Sequence, residues 1–594
     1  MKNLFPLLRK LLWLFVLSTA LNATAQQKAD LIIYNAKIAT MAKPGEFKQA
    51  IAMQDGLILA TGSSQVILNT YKNAATKLVN AGGKTVIPGL NDSHMHAIRE
   101  GLNFNMELRW DGVKTLKRAM EMLKEQAART PPGAWVKVVG GWNEFQFAEK
   151  RQPTIDEINE AVPDNPVFIT YLYGKAFLNK KGIEVLGYDK STSYPGSVVE
   201  LDKDGKPTGL LYAKKTPMAI YRTLALTGTL TPEERINSSE HFYREINSFG
   251  ITSVVDAAGG AQNYDADYQA SLSLAKAGKL TVRTSYYLFA QQKGKEFEDY
   301  EKWIAKTYPN KNDHLLMANG YTMEGAGENI VASAADFENF LEPRIVLSPD
   351  METELEPIIR LLVKNRWPFR LHATYGESID RMLNVFEKVN KDTPFNGLRW
   401  FFDHAETITD PELVRVKALG GGIAVQFRMY FQGELYTKMY GQPKTQLPPI
   451  KKMLAMGIPV GMGTDAPRIS TYNPWMAINW LLTGKTIGGM QFWPKEQVLD
   501  KFTALKIYTS GSAWFSGEQK AKGKLVKGMY ADMVILSDDY FNASPEKIKH
   551  IAALMTVVNG KVVYATGKYA GLSPSIPEVI PAWSPVKYFG GYQK

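Results

Sequence analysis

Eight short runs rich in β-branched and aromatic residues are separated by amphipathic stretches such as DMETELEPIIRLLVKN (350–365). The runs are VIPGLNDSHMH (86–96), GITSVVDAAG (250–259), LTVRTSYYLFA (280–290), HLLMANGYTMEG (314–325), WPFRLHAT (367–374), LRWFFDHAE (398–406), GGIAVQFRM (421–429) and IPVGMGTDAP (458–467). Eight buried strands that alternate with helices predict an α/β fold of the (β/α)8, TIM-like barrel type rather than an open doubly wound sheet.

The remaining sequence predicts two additions to this barrel, which itself is expected to comprise residues 88–97 and 249–519. About 150 residues separate the first run from the second, far more than one crossover requires, so residues 98–248 are predicted to form an inserted cap. Short strand-like runs broken by turn signals occupy residues 26–87 and 520–575. They predict a small β-sandwich built from both ends of the chain.

The first 25 residues predict a cleaved secretory signal peptide. Lys2, Arg9 and Lys10 precede a short apolar run, and residues 23–25 (Ala-Thr-Ala) form a small-x-small cleavage site. An uncleaved N-terminal anchor is the alternative. No other stretch reaches the roughly 18 apolar residues that a membrane span requires. We therefore expect a periplasmic or secreted protein that has no membrane association after cleavage.

Composition limits the partners and the chemistry. Without the signal peptide, 67 basic and 59 acidic residues leave a net charge of +8. No Lys/Arg-dense run accompanies this surplus, so a nucleic-acid partner is not expected. The chain has no cysteine, which excludes disulfides, thiolate metal sites and a cysteine nucleophile. Any metal must be held by His, Asp, Glu or a modified Lys.

Four of the seven histidines fall near the carboxyl ends of predicted strands, where barrel enzymes place their chemistry. His94 and His96 share one face of the first strand, because residues i and i+2 point the same way. His372 ends the fifth strand, His404 the sixth, and Asp465 the eighth. His372 or His404 alone would be read as a hydrogen-bonded core residue. Four imidazoles and a carboxylate together predict a site for Zn²⁺ or another divalent metal.

These motifs resemble those of the amidohydrolase superfamily over nearly the whole mature chain. VIPGLNDSHMH is similar to its Pro-Gly-x-x-Asp-x-His-x-His first strand, GTDAP to its eighth-strand aspartate, and GKLVKGMYADMVIL to a pattern of its terminal sandwich. RQPTIDEINEAVPDNPVF (151–168), GITSVVDA (250–257) and FTALKIYTSGSA (502–513) resemble the branch that contains N-substituted formamide deformylase and YtcJ-like proteins.

The resemblance implies one or two metals and assigns roles to these residues. It places His94, His96, His372 and His404 in metal binding or in direct contact with the metal-bound water. Asp465 resembles the metal-adjacent aspartate that acts as general base and later protonates the leaving group. His404 is accordingly a candidate both for metal binding and for catalysis, by hydrogen bonding to the water.

Two departures from the family pattern affect these expectations. Relatives with two metals carry a bridging, carboxylated lysine on the fourth strand, where this chain has Gly320. Either Glu324 replaces it as a bridging ligand or the site holds one metal, and we expect close to one. The Gly-His of the family's cap is also absent, because LYGKAFLN (172–179) places Gly174 or Lys175 there. A histidine that contacts the substrate is therefore missing.

Two features concern the substrate pocket. Aromatic residues in GAWVKVVGGWNEFQF (133–147) and VFITYLYGKAF (167–177) either form apolar walls for a ring or acyl chain or pack the cap onto the barrel. Arg428, just after the seventh strand, either binds a substrate carboxylate or forms a surface salt bridge.

The sequence favours an exported metal-dependent hydrolase that cleaves a C–N bond, other than a peptide bond, in a small amide, N-formyl or N-acyl compound, or cyclic amide. Two alternatives remain open. A deaminase of the same superfamily would carry a Glu three residues after His372, whereas Glu377 follows five residues later. A non-catalytic periplasmic binding or regulatory protein could use a degenerate barrel. The sequence allows a homo-oligomer and leaves the natural substrate open.

Overall fold

The computed structural model describes residues 28–259, 262–306, 313–336 and 346–593. The predicted signal peptide, residues 1–25, lies outside these ranges and stays a prediction. No helix within the described ranges is long and apolar enough to cross a membrane.

The strands are numbered in chain order and belong to four sheets. They are β1 (Leu31–Tyr34), β2 (Lys37–Ala39), β3 (Phe47–Lys48), β4 (Ala50–Gln54), β5 (Leu57–Gly62), β6 (Lys77–Asn80), β7 (Thr85–Pro88), β8 (Leu90–Met95), β9 (Val136–Val139), β10 (Val167–Tyr171), β11 (Lys175–Leu178), β12 (Ser197–Leu201), β13 (Pro207–Ala213), β14 (Ile251–Asp256), β15 (Arg283–Leu288), β16 (Tyr321–Ala326), β17 (Phe369–Ala373), β18 (Trp400–His404), β19 (Gly422–Gln426), β20 (Val460–Gly463), β21 (Met533–Leu536), β22 (Ala553–Val558) and β23 (Lys561–Ala565).

The α-helices begin where local signals favour them. Pro232 opens α7, for example, and the side chains of Thr231 and Glu234 cap each other's backbone N–H groups. The helices are α1 (Ser64–Tyr71), α2 (Ala97–Gly101), α3 (Leu116–Ala127), α4 (Ile155–Ala161), α5 (Lys180–Leu186), α6 (Met218–Ala225), α7 (Pro232–Asn247), α8 (Gln269–Lys276), α9 (Glu296–Lys306), α10 (His314–Ala318), α11 (Met351–Lys364), α12 (Gly376–Asp392), α13 (Asp410–Ala418), α14 (Arg428–Tyr440), α15 (Ile450–Ala455), α16 (Pro474–Thr483), α17 (Lys501–Lys506), α18 (Pro545–Ile548) and α19 (Pro585–Phe589).

Strand β8 and strands β14–β20 form one parallel sheet in which every strand pairs with its neighbour in chain order. The sheet is nearly closed. Beyond β20, the Thr464 N–H donates to the Asp92 carboxylate and the Asp465 N–H donates to the His94 carbonyl at 2.8 Å. This eight-stranded parallel arrangement confirms the prediction of a TIM-like barrel.

The amino-terminal end of the barrel is closed by packing and by buried charges. Tyr287 and Phe401 contact Phe515, which lies after the last barrel strand, in a small hydrophobic cluster. Arg399 precedes β18 by one residue and forms an ion pair with Glu324 of β16. The carboxyl end of the barrel is therefore the end that can hold a site.

Two further sheets lie at the ends of the described chain, the first built from its amino-terminal part and the second from both ends. One has the order β5-β4-β1-β6, and the other has the order β23-β22-β21-β7-β2-β3, in which β7 pairs with β21. Ile33 and Ile51 of the first sheet share one hydrophobic core with Val86, Met533 and Val557 of the second. This shared core holds the two ends of the chain together beside the barrel.

The interval between β8 and β14 carries a sheet of its own, with the order β12-β13-β11-β10-β9. The aromatic residues of this interval mainly pack among themselves. Trp142 stacks on Phe147 and packs edge to face against Trp110 and Tyr171, and all four side chains are buried. These four aromatic residues therefore serve packing and do not form the walls of a substrate pocket.

Candidate metal centre

The structure brings together the four predicted histidines and the predicted aspartate at the carboxyl end of the barrel. Nε2 of His94 and Nε2 of His96 each lie 3.3 Å from Oδ1 of Asp465. The His404 ring lies between the others, with its centroid 4.9 Å from that of His94 and 4.2 Å from that of His372. All five side chains come from β8, β17 and β18 or from the residues that follow β8 and β20.

A second carboxylate of the cluster is Glu328, two residues beyond β16. Its Oε1 lies 2.6 Å from Nδ1 of His372 and 3.0 Å from Nε2 of His404. Oε1 and Oε2 lie 3.9 Å from Nε2 of His94 and of His96, respectively. Glu328 therefore faces all four histidines.

This placement corrects the expectation that Glu324 contributes a carboxylate to the metal site. Glu324 is bound to Arg399 at the opposite end of the barrel. The physical reason is that β16 extends to Ala326, so Glu324 lies inside the strand whereas Glu328 follows its carboxyl end.

The donor set fits divalent cations. Three groups of possible ligands have their donor atoms within 4.8 Å of one another: His94, His96 and Glu328; His94, His404 and Asp465; and Glu328, His372 and His404. Nε2 of His94 is buried and has no hydrogen-bond partner, as expected of a ligand atom. Imidazoles and carboxylates without a thiolate suit Zn²⁺ and similar ions. Glu328 belongs to two of the groups and could be shared by two cations.

Asp403 and Arg370 fix the orientation of His94. Nδ1 of His94 lies 2.9 Å from Oδ1 of Asp403, and Arg370 donates to both oxygens of the same carboxylate, at 2.7 and 2.6 Å. Arg370 also contacts Nδ1 of His94, but an Nδ1 that donates to Asp403 cannot accept a hydrogen bond. The ring therefore turns Nε2 toward the site, and orienting the ring in this way is the usual role of a carboxylate behind a metal-binding histidine.

Asp465 is held as an ionised carboxylate. Burial by itself would raise its pKa, but the charge of His94, the close contacts with the His94 and His96 rings, and the charge of Arg428 hold the pKa well below the ordinary value. Nη2 of Arg428 lies 2.6 Å from Oδ2 of Asp465. Arg428 is 1% exposed, so it forms a buried ion pair rather than the surface salt bridge that the sequence allowed.

The histidines differ in their protonation. Burial, together with the charge of Arg99, lowers the pKa of His96 to about 4. Burial and the charge of Arg428 lower the pKa of His404 to about 4 as well. Burial alone would lower the pKa of His94, but Asp403, Glu328 and Asp465 raise it to about 9. Neutral imidazoles at positions 96 and 404 offer lone pairs to a cation near neutral pH.

The backbone is strained at two of these residues. His404 has φ of 77° and Asp465 has φ of 57°, a left-handed conformation that residues other than glycine adopt rarely. Such a turn at the strand end breaks the alternation of side chains, so Asp403 and His404 both reach the site although they are adjacent. Strain of this kind collects at functional sites.

A cavity of about 630 Å³ opens over the cluster. It is lined by His96, His372, His404, Glu328, Asp465 and Arg428 at its base, and by residues that include Arg99, Tyr173, Met218, Tyr221, Gly259 and Phe289 at its sides. Helix α6 supplies Met218 and Tyr221. Of the aromatic residues predicted to form pocket walls, Tyr173 does so.

Sequence reasoning missed several residues that shape this site. Glu328 was detectable, since it follows a predicted strand directly. Arg370 was detectable by the i, i+2 rule, because it precedes His372 on the same strand. Asp403 carried no such signal, since alternation predicts that it points away from His404. Asp336, whose Oδ1 lies 3.3 Å from Nε2 of His372, follows no described strand directly.

Comparison with known proteins gives consistent matches. The amidohydrolase family model matches residues 77–564. The chain is 25% identical to the protein YtcJ of Bacillus subtilis (strain 168) over 544 residues, which are 89% of this chain and 98% of that protein. It is 24% identical to N-substituted formamide deformylase of Arthrobacter pascens over 555 residues, 91% of this chain and 99% of that protein.

Among solved structures, an uncharacterized metal-dependent hydrolase from Pyrococcus horikoshii OT3 has a similar fold. Its TM-score is 0.62 at 22% sequence identity, and the match covers 87% of this chain and 99% of that chain. This likeness shows that the two chains share a fold.

Proposed function

The chain belongs to the amidohydrolase family of hydrolases, as the resemblance in its sequence indicated, and on this premise we propose that it cleaves a C–N bond other than a peptide bond. The proposed substrates are small amides, N-formyl or N-acyl compounds, or cyclic amides. The observation that carries this proposal is the position of Glu328, which faces four histidines beside an ionised Asp465. N-substituted formamide deformylase, a relative over nearly its whole length, is named for such a substrate and supports the choice.

We further propose that the site holds two divalent cations, with zinc as the first candidate. Glu328 would be shared between them, with His94 and His96 on one side and His372 and His404 on the other. This count replaces the expectation of one metal, because Glu328 supplies the negative charge that the missing lysine would have carried. Bound cations would polarise the substrate carbonyl and make a water molecule more acidic.

The residues of the chain then move the proton. Oδ1 of Asp465 faces the two histidines of β8, whereas Oδ2 is bound by Arg428. Asp465 accepts the proton that the attacking water gives up and returns it to the leaving nitrogen. Its low pKa keeps it ionised, which is the form that a base requires before the reaction begins.

The test is a screen of the purified mature chain, residues 26–594, loaded with Zn²⁺. N-formyl and N-acyl amines should release amine, and elemental analysis should find close to two metals per chain. Release of ammonia from ring amidines instead of amide hydrolysis would favour the deaminase alternative. Full metal content without turnover of any amide would favour a binding protein.

We also propose export, which rests on the sequence of residues 1–25 alone. Expression of the full chain in a Gram-negative host should give a periplasmic protein whose first residue is Gln26. Mass spectrometry of the intact protein checks the cleavage site, and retention of residue 1 in a membrane fraction would favour the uncleaved anchor.

A further inference from the structure

Two buried polar side chains beside the cavity have hydrogen-bonding atoms that no described residue satisfies. Arg99 is 6% exposed, and its Nε and Nη2 make no hydrogen bond. Gln262 is 8% exposed, and neither atom of its amide has a partner. Buried polar groups without partners destabilise a folded protein, so their presence together calls for a ligand.

The two side chains converge on one point of the cavity wall. Arg99 and Gly259 both line the cavity. A methyl group on Gly259 would lie 2.8 Å from Nη1 of Arg99 and 2.9 Å from Oε1 of Gln262. The absence of a side chain at Gly259 therefore lets both groups approach this point of the wall closely.

Among the residues that the structure describes, no carboxylate forms an ion pair with Arg99. Burial alone would lower the pKa of Arg99, but the Tyr173 and Tyr221 hydroxyls and Asp465 raise it, so the guanidinium stays charged. Asp465 itself is already bound by Arg428. In the described part of the chain, the cavity thus contains a buried cation without a partner carboxylate, which an anionic ligand would neutralise.

The position of Arg99 sets where that anion lies. Arg99 follows His96 by three residues, and both side chains line the cavity. Tyr173, Tyr221 and Met218 line the same cavity and offer mostly apolar surface. A ligand that fits has an apolar part and an anionic group close to the metal centre.

We propose that Arg99 and Gln262 bind a carboxylate of the substrate, so that the preferred substrates are amides with a free carboxylate near the scissile bond, such as N-formyl or N-acyl amino acids. The inference rests on the proposed function and narrows it. A planar guanidinium matches a carboxylate through two parallel hydrogen bonds, and the Gln262 amide can donate another.

A matched pair of substrates tests the preference. N-formylphenylalanine and N-formylphenethylamine share the ring and the formamide and differ by the carboxylate. For the zinc-loaded mature chain, we expect kcat/KM to favour the acid by about 10- to 100-fold. Arg99→Met should bring the ratio close to one. Arg222→Met removes an exposed cation of the same cavity and should change the ratio by less than about fivefold.

A binding measurement tests the site without hydrolysis. By calorimetry, 3-phenylpropanoate should bind at least about tenfold more tightly than 3-phenylpropanamide. Gln262→Met and Arg99→Lys should each reduce the difference in affinity between the two ligands. These two variants test the site even if Arg99→Met does not fold. The proposed carboxylate site would be wrong if the preference for the carboxylate survived all three substitutions but was lost when the metal was removed. The metal alone would then bind the acid.

The two proposals can fail separately. Hydrolysis of both formamides with equal kcat/KM would overturn the carboxylate site and keep the proposed hydrolase. Binding of 3-phenylpropanoate that depends on Arg99, without turnover of any amide, would keep the site and contradict the hydrolase.

Discussion

The two carboxylates of the centre contact different histidines. Asp465 lies 3.3 Å from both histidines of the first barrel strand, whereas Glu328 makes its short contacts with His372 and His404. Each pair of imidazoles therefore has one carboxylate nearby, and Glu328 approaches both pairs. This division gives every residue of the centre a distinct expected phenotype.

Replacing a histidine of the first strand should remove metal without unfolding the protein. His94→Ala or His96→Ala deletes a proposed ligand at the mouth of the barrel, above the packed layers of its interior. We expect loss of turnover and reduced metal content by elemental analysis, with an unchanged circular dichroism spectrum. His241→Ala is the control, because this ring bonds the Pro577 carbonyl outside the centre. Full metal content and normal turnover in either first-strand variant would remove both residues from the site.

Two glutamates of the fourth strand region should behave differently. Glu328→Gln removes the charge that offsets repulsion between two cations, so metal content should fall from about two to about one per chain. Glu324→Gln should keep the parent's metal content, because Glu324 pairs with Arg399 at the other end of the barrel. Elemental analysis of both variants measures this. Equal metal contents in the parent and Glu328→Gln would contradict the shared carboxylate.

Asp465→Asn tests the proton transfer. Asparagine keeps the size of the side chain but cannot take a proton from water. Turnover should fall by at least about a hundredfold. Metal content should fall less than in His94→Ala, since the imidazoles remain. A variant with more than about a tenth of the parent's activity would exclude Asp465 as the base.

At the scale of elements, the site depends on how closely β20 approaches β8. A Cβ on Gly463 would lie 2.5 Å from the His94 backbone nitrogen and 2.9 Å from Oδ1 of Asp92. The first atom belongs to the backbone, and the Asp92 carboxylate is held by the N–H groups of His94 and Thr464. Any larger residue at position 463 must therefore separate the strand that carries His94 from the strand that leads to Asp465.

Gly463→Ala should therefore weaken metal binding although Gly463 contacts no metal. Overpacking of a tight core position costs about 1–3 kcal/mol, so the melting temperature should fall as well. The control is Gly571→Ala, since a Cβ there meets no atom within 4 Å. Metal titration and thermal melting measure both effects. Unchanged metal affinity in Gly463→Ala would show that the strand spacing does not position the centre.

At the scale of the whole molecule, the proposed ligands join distant parts of the barrel. They come from β8, β17 and β18 and from the residues that follow β8, β16 and β20. The strand that precedes β8 in the chain, β7, belongs to the sheet that joins both ends of the chain. A cation bound by the proposed ligands would hold together residues separated by several hundred positions in the chain. Metal should therefore stabilise the protein as a whole.

Removal of metal should lower the melting temperature and abolish turnover. A ligand present at a thousand times its Kd stabilises the native state by about 4 kcal/mol. Dialysis against a chelator should thus shift the thermal transition downwards, and added Zn²⁺ should restore both the transition and the activity. The shift should be smaller in His94→Ala, which serves as the control. An identical transition with and without metal in the parent would contradict a site that spans the strands.

The sequence alone determined the strand count, the barrel and the position of the histidines. The reason is that these properties are local. Alternating strands and helices fix the barrel, and the i, i+2 rule puts His94 and His96 on one face. The alternation of strands and helices also placed His372, His404 and Asp465 at strand ends. Parallel strands of a barrel end at one mouth, so these side chains were expected to meet there.

Only the tertiary structure decided which other groups meet there. Glu324 and Glu328 lie four positions apart, but β16 ends between them. Glu324 pairs with Arg399 at the amino-terminal end of the barrel, whereas Glu328 contacts His372 at the carboxyl end. His404 joins the site beside its neighbour Asp403 because the backbone turns into the left-handed region at His404. The unpaired state of Arg99 depends on which residues of the cap and barrel surround it. Such properties depend on contacts between residues far apart in the chain, and local patterns do not encode them.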